Sequence, residues 1–315
     1  MESDSFSDSI SSLSFIILLH FNLMSVGLNI QENVPMRQFT SFRVGGRALF
    51  FVDIDSADAI LEAKKFAAQQ KMPYFVLGRG SNVVVSDEGY EGLIIRIARG
   101  LSHFSFKDNL LVTTAGCPLA LLARSSIAHD LGGIHLLAGI PGTVGGAIYM
   151  NAGAYGETVS QTIRQVKSLN ASGHIVTRSN TDCEFSYRHS TFQTNNEIIV
   201  EATFELQTSP ARPLLAEMER VMTERREKQP LEFPSAGSVF KRPATGFPGA
   251  LIEAAGLKGY KLGGAQVSEK HANFIINTGN ATARNIYDLS RLIIDRVKAN
   301  SGVELQCEIL FIGKY

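Results

Sequence analysis

A chain of 315 residues is too long for one small hydrophobic core and fits two or three packed units. With 44% hydrophobic and 19% charged residues it reads as an ordinary soluble globular protein, and its 30 basic residues cancel its 30 acidic ones. No net field draws it to nucleic acid or an anionic membrane, so small molecules are the expected partners; a monomer is the expected state. Cys117, Cys183 and Cys307 are odd in number and far apart, which argues against a disulfide framework or a CxxC metal site and for free buried thiols. The histidines show no HExxH spacing, and no metal is expected.

The opening stretch, MESDSFSDSISSLSFIILLHFNLM, is serine-rich and begins with acidic residues around a short apolar run, Phe15 to Leu19. A secretory signal has a basic start, and a membrane span needs about 20 mostly apolar residues. Residues 1–23 are therefore expected to be a disordered extension or a misassigned start, with Met24 as an alternative initiator. A first unit is expected over residues 31–100. It opens on FTSFRVGG (Phe39 to Gly46), where Arg43 and the Gly45-Gly46 pair make a compact basic turn suited to a phosphate or carboxylate. A strand, Ala48 to Ile54, follows. Asp55 or Ser56 caps a helix with Ile60, Leu61, Phe66 and Ala67 at helical spacing, ending before Pro73. Tyr74 to Leu77 reads as a buried strand running into the turn GRGSN (Gly78 to Asn82), and Gly92 to Ile97 as the next strand. Because Val83 to Val85 continues as strand, no GxGxxG-to-helix turn exists and a Rossmann fold is disfavoured. The order instead describes an α/β unit that holds a ligand at its strand ends.

A second unit is expected over residues 101–209. Its strand Leu110 to Gly116 leads to Pro118, placed at the first position of a helix, Leu119 to Asp130, with an apolar face of Leu119, Leu122, Ala123 and Ile127. Next comes AGIPGTVGGAIYMNAGAYG, Ala138 to Gly156. It holds Gly139, Gly142, Gly145, Gly146, Gly153 and Gly156 and no charged residue, and is expected to be a loop whose backbone meets a bulky anionic ligand without intervening Cβ atoms. Together with GRGSN it suggests one extended ligand held at two places. Ile163 to Asn170, Ile175 to Ser179 and Ile198 to Leu206 alternate as antiparallel strands with one wet face.

Pro210 to Pro213 marks the border of a third unit, residues 210–315. Leu214 to Lys228 is a charged amphipathic helix with Leu215, Met218 and Met222 on one face. Arg225, Arg226 and Lys228 near its end complement the helix dipole or bind an anion. SAGSVFKRP (Ser235 to Pro243) is a small-residue turn opening a short strand. A helix over Pro248 to Ala255, a strand over Asn273 to Ile276 and a long helix marked by Ile286, Leu289, Ile293 and Val297 follow, the last ended by Gly302. Val303 to Phe311 alternates as a final strand, with Glu304, Gln306 and Glu308 on its polar face.

Three residues stand out by type and setting. Arg188 follows a Phe-Ser-Tyr hinge, Ser238 sits in a glycine-containing turn beside Lys241 and Arg242, and Glu308 lies on the polar face of an otherwise regular strand. Each taken singly also suits a plain surface position. Ser238 is not in a GxSxG elbow, so a hydrolase nucleophile is not expected. Residue chemistry alone reaches a cofactor-binding α+β protein with an anion-friendly further domain.

The set FTSFRVGG, GRGSN, AGIPGTVGGAIYMNAGAYG, YRHS, SAGSVFKRP, LGGAQVSEKHANFIIN and CEILFIG resembles, in order and spacing, the UDP-N-acetylenolpyruvoylglucosamine reductase (MurB) family, from about residue 31 onward. It is similar to the branch with a short second domain. The resemblance implies an FAD-binding domain of the vanillyl-alcohol-oxidase (PCMH-type) kind in two α/β subdomains, and a C-terminal α+β domain that closes over a sugar nucleotide. The implied reaction is NADPH-dependent reduction of UDP-N-acetylglucosamine enolpyruvate to UDP-N-acetylmuramate through non-covalent FAD, in peptidoglycan precursor synthesis in the bacterial cytoplasm. Two other readings are an FAD-dependent oxidase of the same fold and a flavin-free nucleotide-sugar binding module.

On that resemblance Arg188 and Glu308 neutralise the substrate carboxylate as charge builds on it, and Ser238 is the general acid, with Lys241 as a supporter. Arg43, Gly78, Arg79, Gly80, Ser81, Asn82, Gly142, Thr143, Gly145, Gly146 and Gly153 are the implied FAD contacts, the N–H groups of Gly80, Ser81, Asn82 and Thr143 serving the pyrophosphate. Arg225, Arg226, Lys241 and Arg242 are expected at the UDP diphosphate. His135, just upstream of the long glycine stretch, is expected to pack rather than to attach flavin.

Overall fold

The computed structural model describes residues 28–98 and 100–315, so the expectation for residues 1–23 lies outside the described residues. The first unit contributes β1 (Gln31–Pro35), β2 (Arg47–Asp53), β3 (Tyr74–Leu77), β4 (Val83–Val85) and β5 (Tyr90–Arg96). Four of these form a sheet in the order β1-β2-β5-β3, antiparallel between β1 and β2 and parallel on both sides of β5. The crossover between β2 and β3 is α1 (Ala57–Gln69), and of the two cap candidates Ser56 serves, accepting the N–H of Ala59. Ile60, Ala63 and Phe66 of α1 join Phe50, Val52, Leu93 and Ile95 of the sheet in one core, while Phe51, Leu77 and Ile94 point to the other face. Only Leu77 of β3 is fully buried; the rest of that strand is half-buried, at the sheet edge.

The second unit adds β6 (Phe104–Lys107), β7 (Leu110–Thr114), α2 (Leu119–Ile127), β8 (Leu131–Gly132), a 3-10 helix (His135–Gly139), α3 (Val144–Tyr149), β9 (Gly153–Ala154), β10 (Glu157–Thr158), β11 (Ile163–Leu169), β12 (Ile175–Ser179), β13 (Ile198–Glu205) and β14 (Gln207–Thr208). An antiparallel sheet runs β12-β11-β13-β7-β6. The single wet face expected for its strands holds only at the edge strand β12. Central β13 buries residues of both faces, Ile199 and Val200 among them, because Val144 and Ile148 of α3 share its core. Pro118 is the cap of α2 rather than its first residue, and α2 stops at Ile127, three residues early, ahead of Asp130 in the left-handed region at φ 56°. The stretch Ala138 to Gly156 is not a loop throughout: it holds the end of the 3-10 helix, α3 and the β9–β10 hairpin.

α4 (Ala211–Lys228) begins before its expected start, with Pro213 in a first turn where the missing N–H has no helical partner to lose. It buries Leu214, Met218 and Val221, whereas Leu215 is exposed. That face lies on Ala123, Ile127 and Ala138, so α4 packs with the second unit. Beyond it come α5 (Pro248–Ala254), β15 (Lys261–Leu262), β16 (Ala265–Val267), β17 (Ile275–Asn277), α6 (Ala283–Ser301) and β18 (Leu310–Ile312). The core around Ile286, Leu289, Ile293 and Val297 of α6 takes in Phe42, Val44 and Val84 from the first unit. Of the strand expected over Val303 to Phe311 only Leu310–Ile312 forms, parallel to β4. The preceding segment keeps the alternation, with Leu305 and Ile309 buried, but has a single bridge, Cys307 to Phe240. Its neighbour runs into Pro243, which has no N–H to extend a ladder. Cys117 and Cys183 are free and buried, while Cys307 is free and half-buried.

Candidate active site

The two glycine-rich segments touch. A Cβ at Gly78 would sit 2.6 Å from Oγ1 of Thr143, and one at Gly142 would sit 3.7 Å from Oγ of Ser81. Glycine at 78 is what allows the turn after β3 to close on the residue that caps α3, where Thr143 Oγ1 accepts the N–H of Gly146. Among the described residues the backbone N–H groups of Gly78, Arg79, Gly80, Ser81, Asn82, Gly142 and Thr143 donate to no protein acceptor. Adjacent unpaired N–H groups make a concave surface for an anion, and this donor set fits the pyrophosphate of FAD. Gly145 and Gly146 differ from that expectation, since their N–H groups are used within the fold, by Ala115 O and Thr143 Oγ1. The Gly45-Gly46 pair also differs: Gly46 lies against Asp87 and donates to Ser86 O, so it serves close backbone contact and not an anion. Arg43, exposed and at φ 57°, closes a turn onto Thr40 O, and the N–H of Ser41 in that turn donates to Gly80 O at 3.0 Å.

Arg188 occupies a two-residue turn whose flanking residues, Ser186 and His189, exchange backbone hydrogen bonds at 3.2 and 3.1 Å. Its φ of 54° is left-handed, which costs a residue with a Cβ about 1–2 kcal/mol. The turn is held by Gln193, whose Nε2 donates to Arg188 O at 3.1 Å. The guanidinium donates from Nε to Glu308 Oε1 at 2.6 Å and from Nη2 to Gly153 O at 3.3 Å. The backbone of Glu308 is fixed from two sides: its N–H donates to Val239 O at 2.7 Å, and its carbonyl accepts from Asn82 Nδ2 at 3.0 Å. Ser238 is thus next to the residue that holds Glu308, and Asn82 joins the first glycine turn to it. Arg188 and Glu308 are only 19% and 15% exposed at their side chains. Burial pushes the Glu308 carboxyl above the usual carboxylate range, against the opposing pull of Arg188 and then Lys241.

The four expected diphosphate residues have different immediate neighbours. The backbone N–H of Lys241 donates to Gln306 O at 2.8 Å, two residues from Glu308, whose carboxyl its charge acts on. Arg242 donates its N–H to the Tyr187 hydroxyl at 3.1 Å and sets its guanidinium over the Phe247 ring at 4.1 Å. Arg225 lies across Gly139, where burial lowers its pKa from the ordinary guanidinium value. Arg226 is exposed and turned onto Thr223 of its own helix, since consecutive residues of a helix point about 100° apart.

Residues 48–179 match the family described as FAD binding domain, and residues 229–312 match UDP-N-acetylenolpyruvoylglucosamine reductase, C-terminal domain. The UDP-N-acetylenolpyruvoylglucosamine reductase of Caldanaerobacter subterraneus subsp. tengcongensis is 41% identical over 282 residues, 90% of this chain and 93% of that protein. The chain belongs to the UDP-N-acetylenolpyruvoylglucosamine reductase family. A second member of this reductase family, from Alkaliphilus oremlandii, is 42% identical over 281 residues, covering 89% of this chain and 92% of the other. The crystal structure of the Thermus caldophilus reductase superposes with a TM-score of 0.78 at 30% identity, over 91% of this chain and 99% of that one. The reductase C-terminal match begins after α4, in keeping with the packing of α4 on the second unit.

Sequence reasoning missed Thr143 as a helix cap, Asn82 as the tether of Glu308, and Tyr187 as the partner of Arg242. Only the first left a signal: a threonine directly before Val144-Gly145-Gly146-Ala147-Ile148-Tyr149 is a helix start, masked by the two glycines.

Proposed function

We propose that this chain reduces UDP-N-acetylglucosamine enolpyruvate to UDP-N-acetylmuramate with NADPH, as an FAD-containing dehydrogenase of peptidoglycan precursor synthesis in the cytoplasm. The observation that carries this reading is the half-buried Arg188–Glu308 pair, held between the first glycine turn and the Ser238 segment. An enolpyruvyl ether is electron-rich and resists hydride addition until its carboxylate can take up charge. Arg188, already strained into place, offers that carboxylate a fixed cation, and Glu308, whose burial favours the neutral acid, offers it a hydrogen bond. Ser238 delivers a proton to the carbon beside the one that receives hydride. FAD held by the glycine segments would supply the hydride carrier between NADPH and the alkene.

The free N–H groups of Gly78 to Asn82, Gly142 and Thr143 hold the FAD pyrophosphate, with Arg43, Arg79 and Gly153 at the rim and Gly145 and Gly146 giving α3 close contact with its surroundings. Arg225, Lys241 and Arg242 face the sugar nucleotide, and Arg226 adds charge from outside. The third unit, beyond α4, closes over it.

The test is anaerobic. NADPH bleaches the flavin absorbance of the purified protein, and addition of the enolpyruvyl sugar nucleotide restores it with formation of the lactyl ether. A flavin that stays bleached until oxygen is admitted would overturn the assignment in favour of an oxidase.

A further inference from the structure

His135 opens the 3-10 helix that leads into the glycine-rich stretch, and its imidazole is 8% exposed. It lies between two carboxylates from different elements. Nδ1 is 3.2 Å from Oε1 of Glu157 on the β9–β10 hairpin, and Nε2 is 3.0 Å from Oε2 of Glu217 on α4. The other oxygen of Glu157 accepts the N–H of Leu136 at 3.0 Å, which anchors that carboxylate to the same segment whichever proton the ring carries. The hairpin and α4 are thereby tied to one short segment through one ring.

The far end of that segment is tied to α4 as well. Gly139 ends the 3-10 helix, and a Cβ there would collide with Nε of Arg225. Glu217 and Arg225 are eight positions apart, which along a helix is about 12 Å. The 3-10 helix is therefore gripped by α4 at its first residue through the His135–Glu217 contact and at its last through the Arg225 side chain. The hairpin completes the arrangement, because Gly153 O on its other strand accepts from Arg188. Arg225 has no carboxylate within ion-pair distance among the described residues, and the hairpin tip, Tyr155, is the group that acts on its charge.

We infer that His135 is a positioning residue for the enolpyruvyl reduction: by bridging Glu157 and Glu217 it sets α4 and the hairpin on the segment ahead of α3, and so fixes Arg225 for the sugar nucleotide. This rests on the proposed function. Glu157 is the costly partner to strand, at 16% side-chain exposure, whereas Glu217 is half-exposed and contributes mainly the link to α4.

The experiment is a double-mutant cycle on the FAD-loaded protein, read both by steady-state kinetics and by calorimetric titration with UDP-N-acetylglucosamine, which carries the nucleotide but cannot be reduced. His135→Ala is expected to raise KM for the enolpyruvyl sugar nucleotide, and the dissociation constant of the unreactive one, by about tenfold, with a much smaller fall in kcat. Combined with Arg225→Ala it adds nothing further, because both changes remove the same contact. Glu217→Ala, at a half-exposed position, breaks only the α4 leg and is expected to give a smaller rise that is again absent beside Arg225→Ala; it serves should His135→Ala fail to fold. Unchanged KM, or effects that multiply with Arg225→Ala, would overturn the inference. A wild-type protein that neither binds nor reduces the sugar nucleotides would instead refute the proposed function.

Discussion

Arg188 Nε and Glu308 Oε1 meet at 2.6 Å although 120 residues separate them in the chain. The contact joins a strained turn of the second unit to an extended segment of the third, and Asn82 ties that segment to the first glycine turn. Three units thus converge on one arginine–carboxyl contact.

Glu308→Gln tests the protonation of this pair. Burial raises the folded-state pKa of the carboxyl, so the neutral acid persists to higher pH than in an ordinary glutamate. If the neutral acid is the active form, the rate of alkene reduction is full below the ordinary carboxylate range and falls as pH rises through the raised pKa. The amide of Gln still donates a hydrogen bond but does not titrate. The expected result is loss of that descending limb, measured in stopped-flow pH profiles of the second half-reaction.

Ser238→Ala separates the two half-reactions. Bleaching of the flavin by NADPH should proceed near the wild-type rate, while reoxidation by the enolpyruvyl sugar nucleotide slows by about 10²–10⁴-fold, the usual contribution of a positioned acid. Equal slowing of both halves would place Ser238 in cofactor or nucleotide binding.

Gly78→Ala adds a methyl group 2.6 Å from Thr143 Oγ1, too close for either atom to stay in place. The two glycine segments must part, and purified protein should carry less FAD, read from the ratio of flavin to protein absorbance. Ser56→Ala is the control. It removes the cap of α1, lowering stability by about 1 kcal/mol without touching flavin content.

Asn273 is buried and spans Phe240, accepting its N–H and donating to its carbonyl, both at 3.0 Å. Asn273→Ala leaves two buried backbone groups without partners, at about 1–3 kcal/mol each. Thermal unfolding should show a loss of roughly 2–6 kcal/mol, and Ser238 and Glu308, which flank the same segment, should lose their alignment with it.

Much of this arrangement was legible in the sequence where periodicity and chemistry agree. The apolar faces of α1 and α6, the strand before GRGSN and the candidate trio Arg188, Ser238 and Glu308 all come from spacing or residue type. The rest was hidden for identifiable reasons. Gly145 and Gly146 are poor helix residues, so the sequence of α3 reads as loop although Thr143 caps it. The alternation of Val303 to Phe311 is real in burial but does not guarantee a ladder, because strand pairing depends on a partner the local sequence does not name. Leu215 and Val221 exchanged places on α4 since the helix packs on α2, a neighbour set by tertiary structure. His135 gave no motif at all, as its two carboxylates come from elsewhere in the chain.

The parallel pairing of β18 with β4 has a consequence for how the protein is made. Among the described residues β18 is the only strand partner of β4, and the tether from Asn82 to Glu308 spans 226 residues. At about 5–20 residues per second, a ribosome needs roughly 10–45 s to cover that distance. For that interval Val83-Val84-Val85 waits with an open edge, the kind of apolar segment that aggregates if met by another like it. The glycine turn beside it is synthesised early, yet the carboxyl group that gives the site its chemistry arrives late. A nascent chain is therefore inert until nearly all of it has emerged, and its need for protection is greatest just before it becomes active.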